Sequence, residues 1–465
     1  MIDNVYSFFL KISSIPRETN NMERISNYLV NFAKEKGLEV YQDEHFNVLI
    51  KKKASNGYEQ KAPIILQAHM DMVCGKSEES THDFYIDGIE VIEEEGYLKA
   101  NGTTLGADDG IGMAMILAIL DGNYPHPPIE ALFTVNEETT MEGASSFDVR
   151  KLKGQSLINL DSEEEGILTA GCAGATSLET ILPGILKKER GNVLTIEISN
   201  LRGGHSGIDI DLGHVNAIKF ITSEFYEKDY RLISITGGSA DNAICNSVKL
   251  KLLVNNDTIQ TNLLKDYLLQ KLKEHSEEEA NVEVNLEEEE LQCFDLESSS
   301  SILRYLYNVP DGVYSYENNL PDMVCSSLNL GIIKTDGDMV YIHHLIRSSD
   351  EEMLKIIKDR VIFHAMHARG IVHTHNSLLG WKYQENSPLR EYLVKKYHEL
   401  FRKPLKIEVT HAGLECGLLV NKKKDLDCVS IGPNIIGAHT INEKVEISSV
   451  NRMFEYLLLV LKDIK

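Results

Sequence analysis

Two adjacent glutamates, Glu137 and Glu138, close the apolar run Ile129-Glu130-Ala131-Leu132-Phe133-Thr134-Val135. Adjacent carboxylates at a strand end repel each other, and one of the two side chains should face inward, so folding alone explains them poorly. Taken by itself, a solvated acidic turn is the ordinary explanation for such a pair. A cation resolves both difficulties, because one carboxylate binds it while the other handles a proton beside it.

Residues of matching chemistry recur at the ends of other apolar runs. Pro63-Ile64-Ile65-Leu66 leads into Gln67-Ala68-His69-Met70-Asp71, and alternation along a strand puts His69 and Asp71 on one face. A metal-bound imidazole commonly donates its second N–H to a carboxylate, so His-x-Asp reads as ligand plus orienter or as two ligands. Leu105-Gly106-Ala107-Asp108-Asp109-Gly110 precedes an apolar stretch, Met113 to Leu120, that predicts a buried helix. Standing alone, Asp108-Asp109 would cap that helix. Asp161 ends the run Leu157-Ile158-Asn159-Leu160, and His439 follows Gly437-Ala438 near the C-terminus. Imidazole and carboxylate together suit zinc, with manganese and cobalt as alternatives. A carboxylate shared between two such ions is the two-metal hydrolase arrangement, with the ions about 3.5–4 Å apart.

The pattern resembles the di-zinc aminoacylase/carboxypeptidase family of metallopeptidases, in particular its aminoacyl-histidine dipeptidase branch. The resemblance covers essentially the whole chain. It is carried by the segments already quoted, by Thr134-Val135-Asn136-Glu137-Glu138 and by Leu160-Asp161-Ser162-Glu163-Glu164-Glu165-Gly166. It continues through Gly171-Cys172-Ala173-Gly174, Arg202-Gly203-Gly204-His205-Ser206-Gly207 and His411-Ala412-Gly413-Leu414-Glu415-Cys416-Gly417. It implies that Asp108 bridges two zinc ions, that His69 and Asp161 complete one site, and that Glu138 and His439 complete the other. Asp71 would orient His69, Glu137 would be the general base, and the Asp108–Asp109 peptide would be cis. His205 matches the family histidine that reaches the tetrahedral oxyanion, often from a partner subunit. Where relatives often place a small residue soon after the two glutamates, this chain reads Thr139-Thr140-Met141-Glu142-Gly143, a departure in the loop rather than in the ligands.

A dipeptidase must read a free carboxylate at one end of its substrate and a free amine at the other. Arginine grips a carboxylate through two parallel hydrogen bonds, and Arg347, after a strand-like run, matches the family's carboxylate-binding arginine. Glu415 lies in a segment that lines the active site in relatives, where it would meet the substrate amine or brace the metal ligands. Asn242 is a further candidate contact to the substrate backbone. The resemblance therefore implies hydrolysis of dipeptides, of Xaa-His type or of broad specificity, by water activated on two Zn2+ (Mn2+ or Co2+ as substitutes). A tripeptidase or N-acyl amino acid deacylase of the same fold is the nearest alternative. A non-catalytic metal-binding member is a third, and the presence of Glu137 beside all five expected ligands argues against it.

At 465 residues the chain has length for two or three domains. Its net charge of −24 opposes binding to nucleic acid or to an anionic membrane surface. No apolar run approaches the ~20 residues a membrane span needs. The N-terminal Met1-Ile2-Asp3-Asn4-Val5 lacks the basic segment of a signal peptide, and seven scattered cysteines make no disulfide framework. The expected setting is cytoplasmic.

Strand and helix patterns alternate to about residue 175, the signature of a layered α/β domain. Period-2 runs such as Leu194, Ile196 and Ile198 then predict sheet that is wet on one face. The expected organisation is a discontinuous α/β catalytic domain of residues 1–175 and 380–465. It is interrupted by an α+β lid domain at 176–379, through which the resemblance implies a homodimer.

Overall fold

The computed structural model describes residues 2–254, 259–318 and 320–464. The runs Ile64–His69, Ile129–Thr134 and Ser156–Asn159 are neighbouring parallel strands, and Asp427–Ser430 extends the parallel set beside Ser156–Asn159. All six residues of Ile64–His69 and of Ile129–Thr134 are buried. Parallel strands covered on both faces have no polar side to show, which is why they read as continuous apolar runs. Among the described residues this sheet has eight strands. The helix Ala107–Asp121 is buried on every side from Ala107 to Leu120, as its unbroken apolar sequence requires. It shares one core with Phe9, Leu29, Leu66, Leu393 and Leu457.

Apart from a small four-stranded sheet, the second large sheet is antiparallel, with nine strands among the described residues. Its strand Gly174–Pro183 alternates buried and half-exposed positions along its length, the pattern of a sheet with one dry face. Helices Ala217–Phe225, Leu296–Asn308 and Glu351–His367 cover the dry face around Leu194, Leu250, Ile302, Ile342 and Val361. In the acidic stretch Glu277 to Glu290, the alternation of Val282, Val284 and Leu286 with polar residues predicts a strand over 281–286, and the observed strand runs on to Phe294. Asn281–Phe294 pairs with Leu186–Ser199 throughout, and its exposed glutamates meet cations across the strands (Lys188–Glu290 at 2.7 Å, Arg190–Glu288 at 3.0 Å).

The chain divides into two compact units. Unit 1 is Met1–Gly171, Tyr383–Val409 and Leu414–Lys465; unit 2 is Cys172–Lys382 and Thr410–Gly413. These changeovers differ from the boundaries expected at 175/176 and 379/380. The reason is local: Cys172 and Trp381 exchange backbone hydrogen bonds of 2.9 and 2.8 Å, so both junctions lie at that bridge. The excursion Thr410–Gly413 has no sequence signal and is tied to unit 2 by the Ala173 N–H donating to the Thr410 carbonyl at 3.0 Å. Among the described residues no helix is long and apolar enough to cross a membrane.

Candidate active site

The carboxyl ends of the parallel strands in unit 1 deliver the chemistry. His69 ends one strand, Asn136, Glu137 and Glu138 follow the next, and Asp161 follows a third. Ligands of open α/β sheets characteristically bind at such strand ends. Asp108 enters from the first turn of Ala107–Asp121, and the Asp108–Asp109 peptide is cis. His439 arrives on a loop at positive φ.

These side chains form two overlapping groups. Ligand atoms of His69, Asp108 and Asp161 lie within 4.8 Å of one another, as do those of Asp108, Glu138 and His439, so Asp108 belongs to both. His69 Nε2 is 3.0 Å from Asp108 and 3.4 Å from Asp161. His439 Nε2 is 3.0 Å from Asp108 and 3.0 Å from Glu138. Glu137 also lies within that span of His69 and Glu138.

The electrostatics of the cluster call for positive charge. Hydrogen bonds to Asp108 and Glu138 push His439 up to about 11. Burial alone would lower His69, but Asp161 and the bonds to Asp108, Asp161 and Asp71 outweigh it and raise it well above the usual range. Burial would raise Asp108, yet bonds from His439 and His69 hold it below the ordinary carboxylate range. Burial raises Glu137, with Asp161, Glu415 and Glu138 adding to the effect against the opposing charge of His69. Surroundings that hold protons on two imidazoles also suit a metal cation. Glu138 Oε1 is buried without a hydrogen-bond partner among the described residues, which leaves an acceptor for one. The donor set, imidazole nitrogens and carboxylate oxygens, fits a divalent metal.

Asp71 lies behind this cluster. Its carboxylate accepts the backbone N–H groups of Glu137 and Glu138 at 3.0 and 3.2 Å and the Thr19 hydroxyl at 2.9 Å. The His69 Nδ1 sits 3.1 Å from the Asp71 carbonyl and 3.5 Å from its carboxylate, so both atoms stand behind the ring. Glu415 is fully buried; it accepts from Gln67 Nε2 at 2.6 Å and Thr134 Oγ1 at 2.5 Å, linking two strands, and burial pushes it up to about 7. Two buried residues with no motif around them also touch the site's backbone. Arg17 donates to the carbonyls of Met70, Asp71 and Gly106. Glu443 accepts from four consecutive amides, Leu105 to Asp108. Both lie in polar, charged stretches (Pro16-Arg17-Glu18-Thr19-Asn20 and Asn442-Glu443-Lys444-Val445-Glu446), so nothing in the sequence marks them as buried.

Unit 2 gathers a second polar group. Arg347 is 8% exposed; its Nη1 donates to the His411 carbonyl at 3.4 Å, and its Nε has no partner among the described residues. A Cβ on Gly207 would approach His205 Cε1 at 3.0 Å and Arg347 Cζ at 3.2 Å, which places His205 beside Arg347. Burial, and then Arg347, lower His205. His411, not among the expected residues, bonds Ser327 Oγ at 2.7 Å, and burial pushes it down to about 3. Asn242 is exposed; its carbonyl accepts from the Ser206 N–H at 2.8 Å, next to His205.

Residues 65–463 match the model of Peptidase family M20/M25/M40. The chain belongs to this family. This M20-family chain is 36% identical over 473 residues to the cytosol non-specific dipeptidase of Escherichia coli (strain K12), a match spanning 99% of this chain and 97% of that protein. It is also similar to the crystal structure of aminoacylhistidine dipeptidase from Vibrio alginolyticus, with a TM-score of 0.91 and 33% identity over 99% of this chain and 96% of that one. Aminopeptidase PepT from Bacillus cereus shares the fold at a TM-score of 0.59 and 16% identity, covering 99% and 98%. The family that the motifs implied is the family found, and the α/β architecture is that of its members.

Proposed function

We propose that this M20-family peptidase hydrolyses dipeptides with the help of two divalent metal ions, zinc in the first instance. The observation that carries the reading is the pair of three-residue groups sharing Asp108, with Glu137 beside them. The names of the two full-length relatives, a non-specific dipeptidase and an aminoacylhistidine dipeptidase, support the substrate class. His69, Asp108 and Asp161 would hold one ion, and Asp108, Glu138 and His439 the other. When bound, such ions supply Lewis acidity that polarises the scissile carbonyl and acidifies water.

The side chains supply the rest. The Glu137 carboxylate takes a proton from the attacking water and delivers it to the leaving amine nitrogen. Asp71 holds the backbone under Glu137 and steadies the His69 ring. His205 donates a hydrogen bond to the oxyanion of the tetrahedral intermediate. Arg347 grips the free carboxylate of the substrate, for which its unpartnered Nε is a ready donor. Asn242 contacts the substrate backbone. Of the two roles open to Glu415, enclosure by Gln67 and Thr134 favours bracing the strands that carry His69 and Glu137. The proposal extends to a cytoplasmic setting and to a homodimer formed through unit 2.

The test is direct. Protein dialysed against a chelator and reloaded with zinc, manganese or cobalt is assayed on Ala-His, β-Ala-His, Leu-Gly, a tripeptide and an N-acetyl amino acid. Metal-dependent release of amino acids from the dipeptides is the expected result. Cleavage of the tripeptide or acetylated substrate alone would replace the reading with the same-fold alternative.

A further inference from the structure

Arg17 and Glu443 belong to no donor set, yet they hold the backbone of three loops that carry one. Both are almost completely enclosed, at 2% and 3% exposed. Arg17 Nη1 donates to the carbonyls of Met70 at 3.1 Å and Asp71 at 2.8 Å, just past His69, and its Nη2 donates to the Gly106 carbonyl. Glu443 Oε2 accepts the Leu105 and Gly106 amides at 2.8 Å each; Oε1 accepts those of Ala107 at 2.7 Å and Asp108 at 3.3 Å. Glu443 stands four residues after His439, and its own N–H donates to the Thr440 carbonyl at 3.1 Å. The turn 105–108 is therefore held on its carbonyl side by a cation and on its amide side by an anion. Gly106 sits at φ +68, and a Cβ there would collide with the Arg17 guanidinium and would stand 2.8 Å from Met72 Sδ, so the glycine is what admits the arginine.

Unpaired amides at a helix start carry partial positive charge, and a carboxylate that collects four of them is a strong, directional anchor. A buried charge of either sign is costly unless it is hydrogen-bonded; here three backbone carbonyls take the Arg17 Nη groups and four backbone amides the Glu443 carboxylate, while Arg17 Nε has no partner among the described residues. The bonds of both residues converge on the segments that carry His69, Asp108 and His439.

We infer that Arg17 and Glu443 form a clamp that fixes the mutual positions of His69, Asp108 and His439 and thereby sets metal affinity; both are positioning residues. The inference rests on the metal-dependent reading above. The clamp relates the Asp108 turn to the end of the His69 strand through Arg17, and to the His439 loop through Glu443. Loss of either charge lets two donor atoms drift relative to the third without removing any of them.

The experiment compares wild type with Glu443→Gln, Glu443→Asp and Arg17→Lys. Zinc affinity is read by chelator competition, and the Co2+ visible spectrum is recorded, both well below each variant's unfolding temperature. Glutamine turns an N–H donor toward two backbone donors, and lysine lacks the fork that reaches carbonyls on two segments. Glu443→Gln and Arg17→Lys should each lose roughly 10- to 100-fold in affinity, the usual effect of removing a group that orients ligands, and should alter the Co2+ spectrum. Glu443→Asp, which keeps the charge, should recover part of the loss. If Glu443→Gln does not fold, the other two variants still decide. A role in folding alone would lower the melting temperature and leave affinity and spectrum as in wild type, and that result overturns the clamp. Wild-type protein that binds no divalent ion overturns the clamp together with the reading beneath it. A wild type that binds and hydrolyses, beside variants of equal affinity, overturns the clamp alone.

Discussion

The Asp71 carboxylate accepts the backbone N–H of Glu137 at 3.0 Å. This bond ties the strand end that carries His69 to the turn that carries the two glutamates. Asp71 is also less than 1% exposed and bonded to Thr19, so it cannot move to follow a displaced neighbour. Asp71→Ala would leave two backbone donors without their acceptor and the His69 ring without its carboxylate. The expected outcome is a fall in kcat of at least about 100-fold, with metal affinity reduced roughly 10- to 100-fold. Steady-state kinetics and metal titration of the same preparation check both.

Glu137 has a different signature. It lies beside the two donor groups but is not needed to complete either of them. Glu137→Ala should lower kcat by about 10²- to 10⁴-fold, the range for removing a positioned proton acceptor, and leave metal content as in wild type. Elemental analysis beside the activity assay separates it from Asp71. A metal-loaded, fully active Glu137→Ala would assign the proton transfer to another group.

Much of this site was legible because its residues sit where patterns break. His69, Glu137, Glu138 and Asp161 each follow an apolar run, and buried parallel strands can only read as such runs. Asp108 stood out by the glycines around it. Arg17 and Glu443 were illegible for a physical reason: they bind backbone, and backbone partners leave no trace in residue types. His411 was missed because its neighbours Ser327 and Arg347, which face each other on adjacent strands, lie 84 and 64 residues away in the chain. In the fold, the run 248–254 reads as a strand and 351–368 as a helix from their patterns alone, and the structure has a strand at Val248–Val254 and a helix at Glu351–His367. The helix Leu296–Asn308 was not anticipated, since its four consecutive serines hide an apolar face of Ile302, Leu303 and Leu306.

Arg347 offers a test of substrate reading that is independent of metal. Its guanidinium is nearly enclosed, with Nε unpartnered among the described residues, so a carboxylate would satisfy a donor that folding leaves open. Arg347→Lys keeps the charge but loses the fork. KM for dipeptides should rise about tenfold, equivalent to about 1.4 kcal/mol, with little change in thermal stability. An unchanged KM would move the carboxylate anchor elsewhere.

Unit 2 also carries a pH dependence that owes nothing to catalysis. His344 is fully buried, with Nε2 2.9 Å from the Tyr305 hydroxyl and Nδ1 without a partner among the described residues. Burial first, then the charges of Lys219 and His343, push it down to about 3. The unfolded chain protonates this histidine near pH 6.5, whereas the folded chain resists until about 3. In that window the unfolded state binds more protons, so stability falls as pH falls, by about 1.4 kcal/mol per unit. Asp311, which burial raises to about 6, works in the opposite sense between its ordinary value and that point, because there the folded state holds the extra proton. The histidine's share is therefore isolated by substitution. Urea unfolding of metal-free wild type and His344→Gln is measured at pH 6.5 and 4.5. The variant should be less stable at pH 6.5, since its neighbours lose a shaped partner. Its loss between the two pH values should be smaller than that of wild type, by up to about 2.7 kcal/mol. Equal losses in the two proteins would mean that His344 takes up its proton in the folded state as readily as in the unfolded one.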